Sequence, residues 1–89
     1  MTTGGDGATV RQRRMKDLAN FLDKNGNQES IHIGVHMTGV QAHMTLQWGM
    51  KRVTTREMVN DLERAGILHV TQEGMVKLIR LPSEWQEPD

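Results

Sequence analysis

The sequence predicts an α+β domain of three helices and a small antiparallel sheet, and three observations carry that prediction. Thr38 with Gln41 and Thr54 with Glu57 fit the capping-box pattern, in which a hydroxyl and a side-chain carbonyl satisfy backbone donors at a helix start. Gly49 stands between them, directly after the apolar Trp48, where a first helix must stop and the chain must turn. From Ser30 to Met37 the apolar period switches to two: Ile31, Ile33, Val35 and Met37 alternate with His32, Gly34 and His36.

Residues 1–8 (MTTGGDGA) are polar, Gly-rich and aperiodic, which reads as a disordered arm. Helix 1 begins near Thr9, with Gln12 as its box partner, and runs to about Lys24. Met15, Leu18, Ala19 and Leu22 make its inward stripe, with Phe21 at the edge. Asn25-Gly26-Asn27 ends it, where a positive φ is expected. The strand Ser30–Met37 follows, then helix 2 over about Gly39–Trp48 with Val40, Met44 and Trp48 facing one way. Helix 3 spans about Thr55–Ala65, with Met58, Val59 and Leu62 inward and Gly66 as its cap. Leu68–Thr71 and Met75–Leu81 then flank Gln72-Glu73-Gly74 as a hairpin, which Pro82 closes because it cannot donate to a ladder. The core expected from these stripes is Met15, Leu18, Leu22, Ile33, Val35, Met44, Met58, Val59, Leu62, Leu68, Val70 and Leu78. Residues 9–81 form the domain, and 82–89 form an acidic tail.

Helix, Gly-containing turn, helix and hairpin, with Gly49-Met50 at the turn and Leu62-Glu63-Arg64-Ala65-Gly66-Ile67-Leu68 at the exit, resembles the winged helix-turn-helix superfamily. The resemblance covers roughly residues 9 to 81 and includes the short strand that winged helices place between helix 1 and helix 2. It implies the order H1-S1-H2-H3-S2-wing-S3, with helix 3 as the recognition helix. Lys51 stands where many members carry a Ser or Thr cap. The Thr54 box accordingly moves the expected start of helix 3 about three residues later.

Eighty-nine residues allow one domain with a modest core. A chain of this size buries about 60–65% of its unfolded surface. With one Phe, two Trp and no Tyr, the seven Met are the core fillers, since the thioether chain adapts to irregular gaps. The absence of Cys excludes disulfides and thiolate zinc sites. No apolar run reaches membrane-spanning length and the first residues lack a signal-peptide pattern, so the expected setting is cytoplasmic or nuclear, with no membrane partner. The formal charge is zero, which counts against nucleic acid, but residues 1–81 hold 11 Lys/Arg against 8 Asp/Glu, a net of +3.

Three constellations in the sequence could carry chemistry. His32, His36 and His43 fall within twelve residues, but on a strand His32 and His36 stand about 13 Å apart, too far to share an ion. They read as surface or strand-face histidines, and no metal or cofactor is expected. No nucleophile elbow, phosphate-cradling glycine loop or paired carboxylates in a cleft can be found, so no enzyme is expected. The third constellation is Lys51, Arg52, Thr54, Thr55, Arg56 and Asn60, at the turn and in the first two turns of helix 3. In the resembled architecture that part enters the major groove. Thr55 and Arg56 suit base edges, Asn60 suits adenine, and Lys51 and Arg52 suit phosphate. Arg11, Arg13 and Arg14 (with Lys16) on helix 1, and Lys77 on the last strand, are further phosphate candidates. The plainer reading of all these residues is a solvated helix face held by local charge pairs.

Two functions follow. The first is a protein that binds double-stranded DNA, a transcription regulator or chromosomal accessory factor. The second is a protein-docking winged helix, similar to the C-terminal module of the replication protein A 32-kilodalton subunit, engaging its partner through helix 3, the wing or Trp85. Neutral charge, a short hairpin tip and the acidic tail favour the second; the polar start of helix 3 favours the first. Trp85 either packs back on the domain or anchors a partner, and packing back is the expectation.

Overall fold

Helix α1 (Val10–Asn25) starts where its cap is written: Thr9 accepts from the Gln12 amide, and the Gln12 side chain accepts from the Thr9 amide. The computed structural model describes residues 9–28 and 31–86, and the side chains of all of these but 28, 31 and 32. The 1–8 arm, Ser30, the side chains of Ile31 and His32, and residues 87–89 of the tail lie outside the described residues.

Among the described residues the architecture is α+β, with three α-helices and a three-stranded antiparallel sheet. After α1 come β1 (Asn27–Gln28), β2 (Ile31–His32), β3 (Val35–His36), α2 (Met37–Trp48), α3 (Arg52–Arg64), β4 (Leu68–Val70) and β5 (Met75–Leu78). A single 3₁₀ turn, Ser83–Trp85, ends the described chain. The sheet order is β3–β5–β4, so the short strand before α2 pairs with the second strand of the hairpin, Val35 opposite Val76 and His36 opposite Met75. Leu18, Leu22, Val40, Met44, Met58, Val59, Leu62, Leu68 and Val76 meet in the core. Phe21, Trp48 and Trp85 pack on its margin.

Several local expectations are corrected. The strand Ser30–Met37 is not continuous. Gly34 at φ +91° breaks it, and a Cβ there would lie 2.5 Å from the Val76 carbonyl oxygen, so close approach of β5 requires glycine. The first half, β2, instead pairs antiparallel with β1 as a separate two-stranded sheet. Ile33, expected in the core, is 41% exposed because its amide, like that of Gly34, is drawn to the Gly26 carbonyl. Gly26 itself takes an ordinary right-handed conformation rather than a positive φ, since the chain leaves α1 directly into β1.

Neither inner capping box forms. Helix α2 begins two residues before Gly39, and His36 caps it: Nδ1 accepts from both the Thr38 amide (3.2 Å) and the Thr38 hydroxyl (2.9 Å). This early start buries Met37, whose amide donates to the Gly74 carbonyl at 2.8 Å. Helix α3 begins at Arg52, three residues before Thr55, with Lys51 as a cap lacking a side-chain hydrogen bond among the described residues. Burying one methionine contributes ~1.5–3 kcal/mol against about 1 kcal/mol for a side-chain cap. Seating Met50 (4% exposed) in a three-residue turn therefore outweighs the Thr54 box.

The strands are also shorter than expected, because the amides of Ile79 and Arg80 turn away to the Ile67 carbonyl. Trp85 packs back on the core, as expected, and residues 83–86 lie against the domain. Buried Asn20 donates to the Lys16 carbonyl and to the Trp85 carbonyl, both at 2.9 Å, which ties the 3₁₀ turn to α1. On the other side of the sheet, Glu63 accepts from the Val70 amide at 3.0 Å along the free side of β4.

Leu62 is fully enclosed, so Leu62→Ala should cost ~2–5 kcal/mol in chemical denaturation. His36→Ala should cost about 1 kcal/mol through the lost cap, and His36→Asn should recover most of it.

Candidate nucleic-acid interface

Helix α3 has two faces because its apolar residues recur at helical spacing. Thr55, Met58, Val59 and Leu62 are buried, while Arg52, Val53, Thr54, Arg56, Glu57 and Asn60 are exposed. The turn that carries it is bonded throughout. Gly49 at φ +68° ends α2, and its amide donates to the Thr45 carbonyl at 2.9 Å. The Thr45 hydroxyl donates to the Met50 carbonyl at 2.7 Å, and the buried Gln41 amide reaches the Arg52 carbonyl at 3.3 Å.

The sequence candidates fall into separate groups. Arg11, Thr54 and Asn60 line one shallow groove of about 440 Å³, together with Glu57, Asp61 and Arg64. Arg52 lines a second groove, of about 310 Å³, against Thr38, Gln41, Ala42, Thr45 and Leu46 of α2. Lys51 and Arg56 are exposed beside these, and Arg13 is exposed on α1. Lys77 is half-buried within β5, opposite His69 and away from the hairpin tip.

Two candidates are corrected. Thr55 is fully buried and its hydroxyl donates to the Lys51 carbonyl at 3.1 Å, so it cannot present itself to a ligand. The early helix start turned it inward. Arg14 is half-buried with its guanidinium 5.7 Å above the Trp48 ring, a cation–π contact that commits it to the α1–α2 packing. In the same packing Asp17 accepts from His43 Nε2 (2.7 Å) and Trp48 Nε1 (3.0 Å), and Phe21 stacks on His43 with centroids 4.0 Å apart. His43 and His36 thus both have structural partners. Among the described residues no three His, Cys, Asp or Glu side chains converge to hold a metal ion. No helix among them is long and apolar enough to cross a membrane.

Asp61 and Arg64 are the site residues that sequence reasoning missed. Asp61 bridges two arginines: Arg11 of α1 binds one carboxylate oxygen and Arg64 of α3 the other. The i,i+3 spacing of Asp61 and Arg64 was a visible signal, whereas Arg11 lies fifty residues away. The hydrogen bond from Arg11, then that from Arg64, holds the Asp61 carboxyl below its usual range.

Because the folded-state value is depressed, the stabilisation from Asp61 is present at neutral pH. It is lost as pH falls from about 4 through the lower folded-state value. Denaturation curves across that window should show a shallower loss of stability for Asp61→Asn than for the unaltered protein.

No family model, no curated protein and no solved structure matches this chain.

Proposed function

We propose that the chain is a winged helix-turn-helix domain that binds double-stranded DNA, with α3 in the major groove, and serves as a transcription regulator or chromosomal accessory factor. One observation carries the reading. The exposed side of α3 bears Arg52, Arg56 and Asn60 on one stripe and Thr54 on its other flank, hydrogen-bond donors turned away from the residues that anchor the helix. The order β3–β5–β4, with the strand before α2 laid on the hairpin, supports the winged-helix assignment. Arg56 and Asn60 sit one turn apart and suit guanine and adenine edges, while Lys51 and Arg52 at the helix start suit phosphate.

A second reading, a protein-docking winged helix, is favoured by the groove between α2 and the start of α3. Leu46 on its wall is 89% exposed. The hairpin tip carries Glu73, which opposes contact with a phosphate backbone.

Titration of labelled duplex DNA at two salt concentrations separates these readings. With a net of +3 over residues 1–81, non-specific binding should be weak, a Kd of roughly 10⁻⁴ M at physiological salt. On a selected site Arg56→Ala should lose ~1–3 kcal/mol. Lys51→Ala should weaken all sequences alike and flatten the salt slope by about one unit. Failure to shift any duplex at low salt would leave the groove of Leu46 and Arg52 as the surface to pursue.

A further inference from the structure

The Arg11–Asp61–Arg64 bridge is unusual in its stoichiometry, with two guanidinium groups from different helices sharing one carboxylate. A carboxylate and a phosphodiester offer a guanidinium the same thing, a pair of anionic oxygens that accept paired N–H donors. The two arginines reach water, at 56% and 76% side-chain exposure, whereas Asp61 lies deeper at 34%. Rotation of their own long side chains could therefore re-aim them without moving either helix. Thr54 and Asn60 add neutral donors along the same groove, and among the described residues Glu57 is the other acid lining it.

Resting on the DNA-binding reading, we propose that Arg11 and Arg64 form a two-armed seat for one phosphodiester of the nucleic-acid backbone, and that Asp61 fills this seat when no nucleic acid is bound. The position of the seat agrees with that role. Asp61 is three residues before Arg64 and one after Asn60, so a backbone held there runs beside the exposed face of α3. Arg11 lies in the first turn of α1, whose start the Thr9–Gln12 box fixes, so the seat's second arm springs from a defined backbone position.

Magnitudes favour the exchange. Exposed ion pairs of this kind contribute little to stability, because water and salt screen them. A backbone phosphate taken into the seat releases condensed counterions as well as forming paired hydrogen bonds. Asp61 remains ionised at neutral pH, held so by both arginines, and competes with the phosphate throughout. The seat thus lowers affinity for nucleic acid relative to what its two arginines could supply alone. It also accounts for part of the charge balance of this groove, since the compensating anion is built in.

Asp61→Asn tests this directly, with labelled random duplex titrated over a range of salt and circular dichroism confirming the fold. The variant should bind duplex about tenfold more tightly at low salt, with a slope steeper by about one unit. Adding Arg64→Ala to Asp61→Asn should remove that gain. Inorganic phosphate, titrated in parallel and followed by the Nε–H resonances of Arg11 and Arg64, should show much weaker binding than the duplex. If the unaltered protein binds duplex and Asp61→Asn binds it within twofold with the same slope, the seat is refuted and the DNA reading stands. If Asp61→Asn gains only inorganic phosphate, the seat takes free anions and the assignment to a backbone is refuted. If neither form binds duplex at low salt, both the seat and the DNA reading fall. Should Asp61→Asn not fold, Arg11→Gln probes the same seat and should weaken duplex binding severalfold; unchanged binding would overturn it.

Discussion

The fold depends on how tightly the chain turns between α2 and α3. Three residues, Gly49 to Lys51, reverse direction, and each is held: Gly49 by its left-handed conformation, Met50 by burial, Lys51 by the Thr55 amide and hydroxyl on its carbonyl. With Gln41 bonded to the Arg52 carbonyl, the first turn of α3 is fastened to α2 from inside. The angle between the helices is therefore a property of the core and not of surface contacts. That gives the exposed face of α3 a fixed presentation, which either a groove of DNA or a partner protein would need.

Much of this was legible in the sequence, and the errors share one cause. The Thr9–Gln12 box, the stop at Gly49, the stripe Met58–Val59–Leu62 and the hairpin around Gly74 are local signals, and they formed as read. The Thr38 and Thr54 boxes were equally local but lost to the burial of Met37 and Met50, a tertiary gain that no short window reveals. Alternation through Ser30–Met37 suggests one strand because Gly34 fits the period of two as one of its non-apolar positions. In fact it is the point at which β5 presses against the chain. Asn20 reading the Trp85 carbonyl, and Asp17 gathering His43 and Trp48, pair residues far apart in sequence and left no pattern to find. Of the candidate surface, the cations were visible, but their partners were not. Arg14 and Arg11 look alike on paper, yet one is spent on an indole and the other on a carboxylate.

Charge balance in the groove is an arrangement rather than a dilution. Arg11 and Arg64 line it with Asp61 and Glu57, and Asp61 holds both arginines in contact. Opposite charges kept within contact distance cancel at long range while leaving strong fields close by. Net charge alone is therefore a poor guide to what the face can hold.

By accepting from the Val70 amide, the Glu63 carboxylate occupies the outer side of β4, where a strand from another molecule would have to add its carbonyls. The opposite margin, β3, is two residues long and runs straight into α2. A sheet with one margin occupied and the other cut short offers little template for a strand of a second copy to extend.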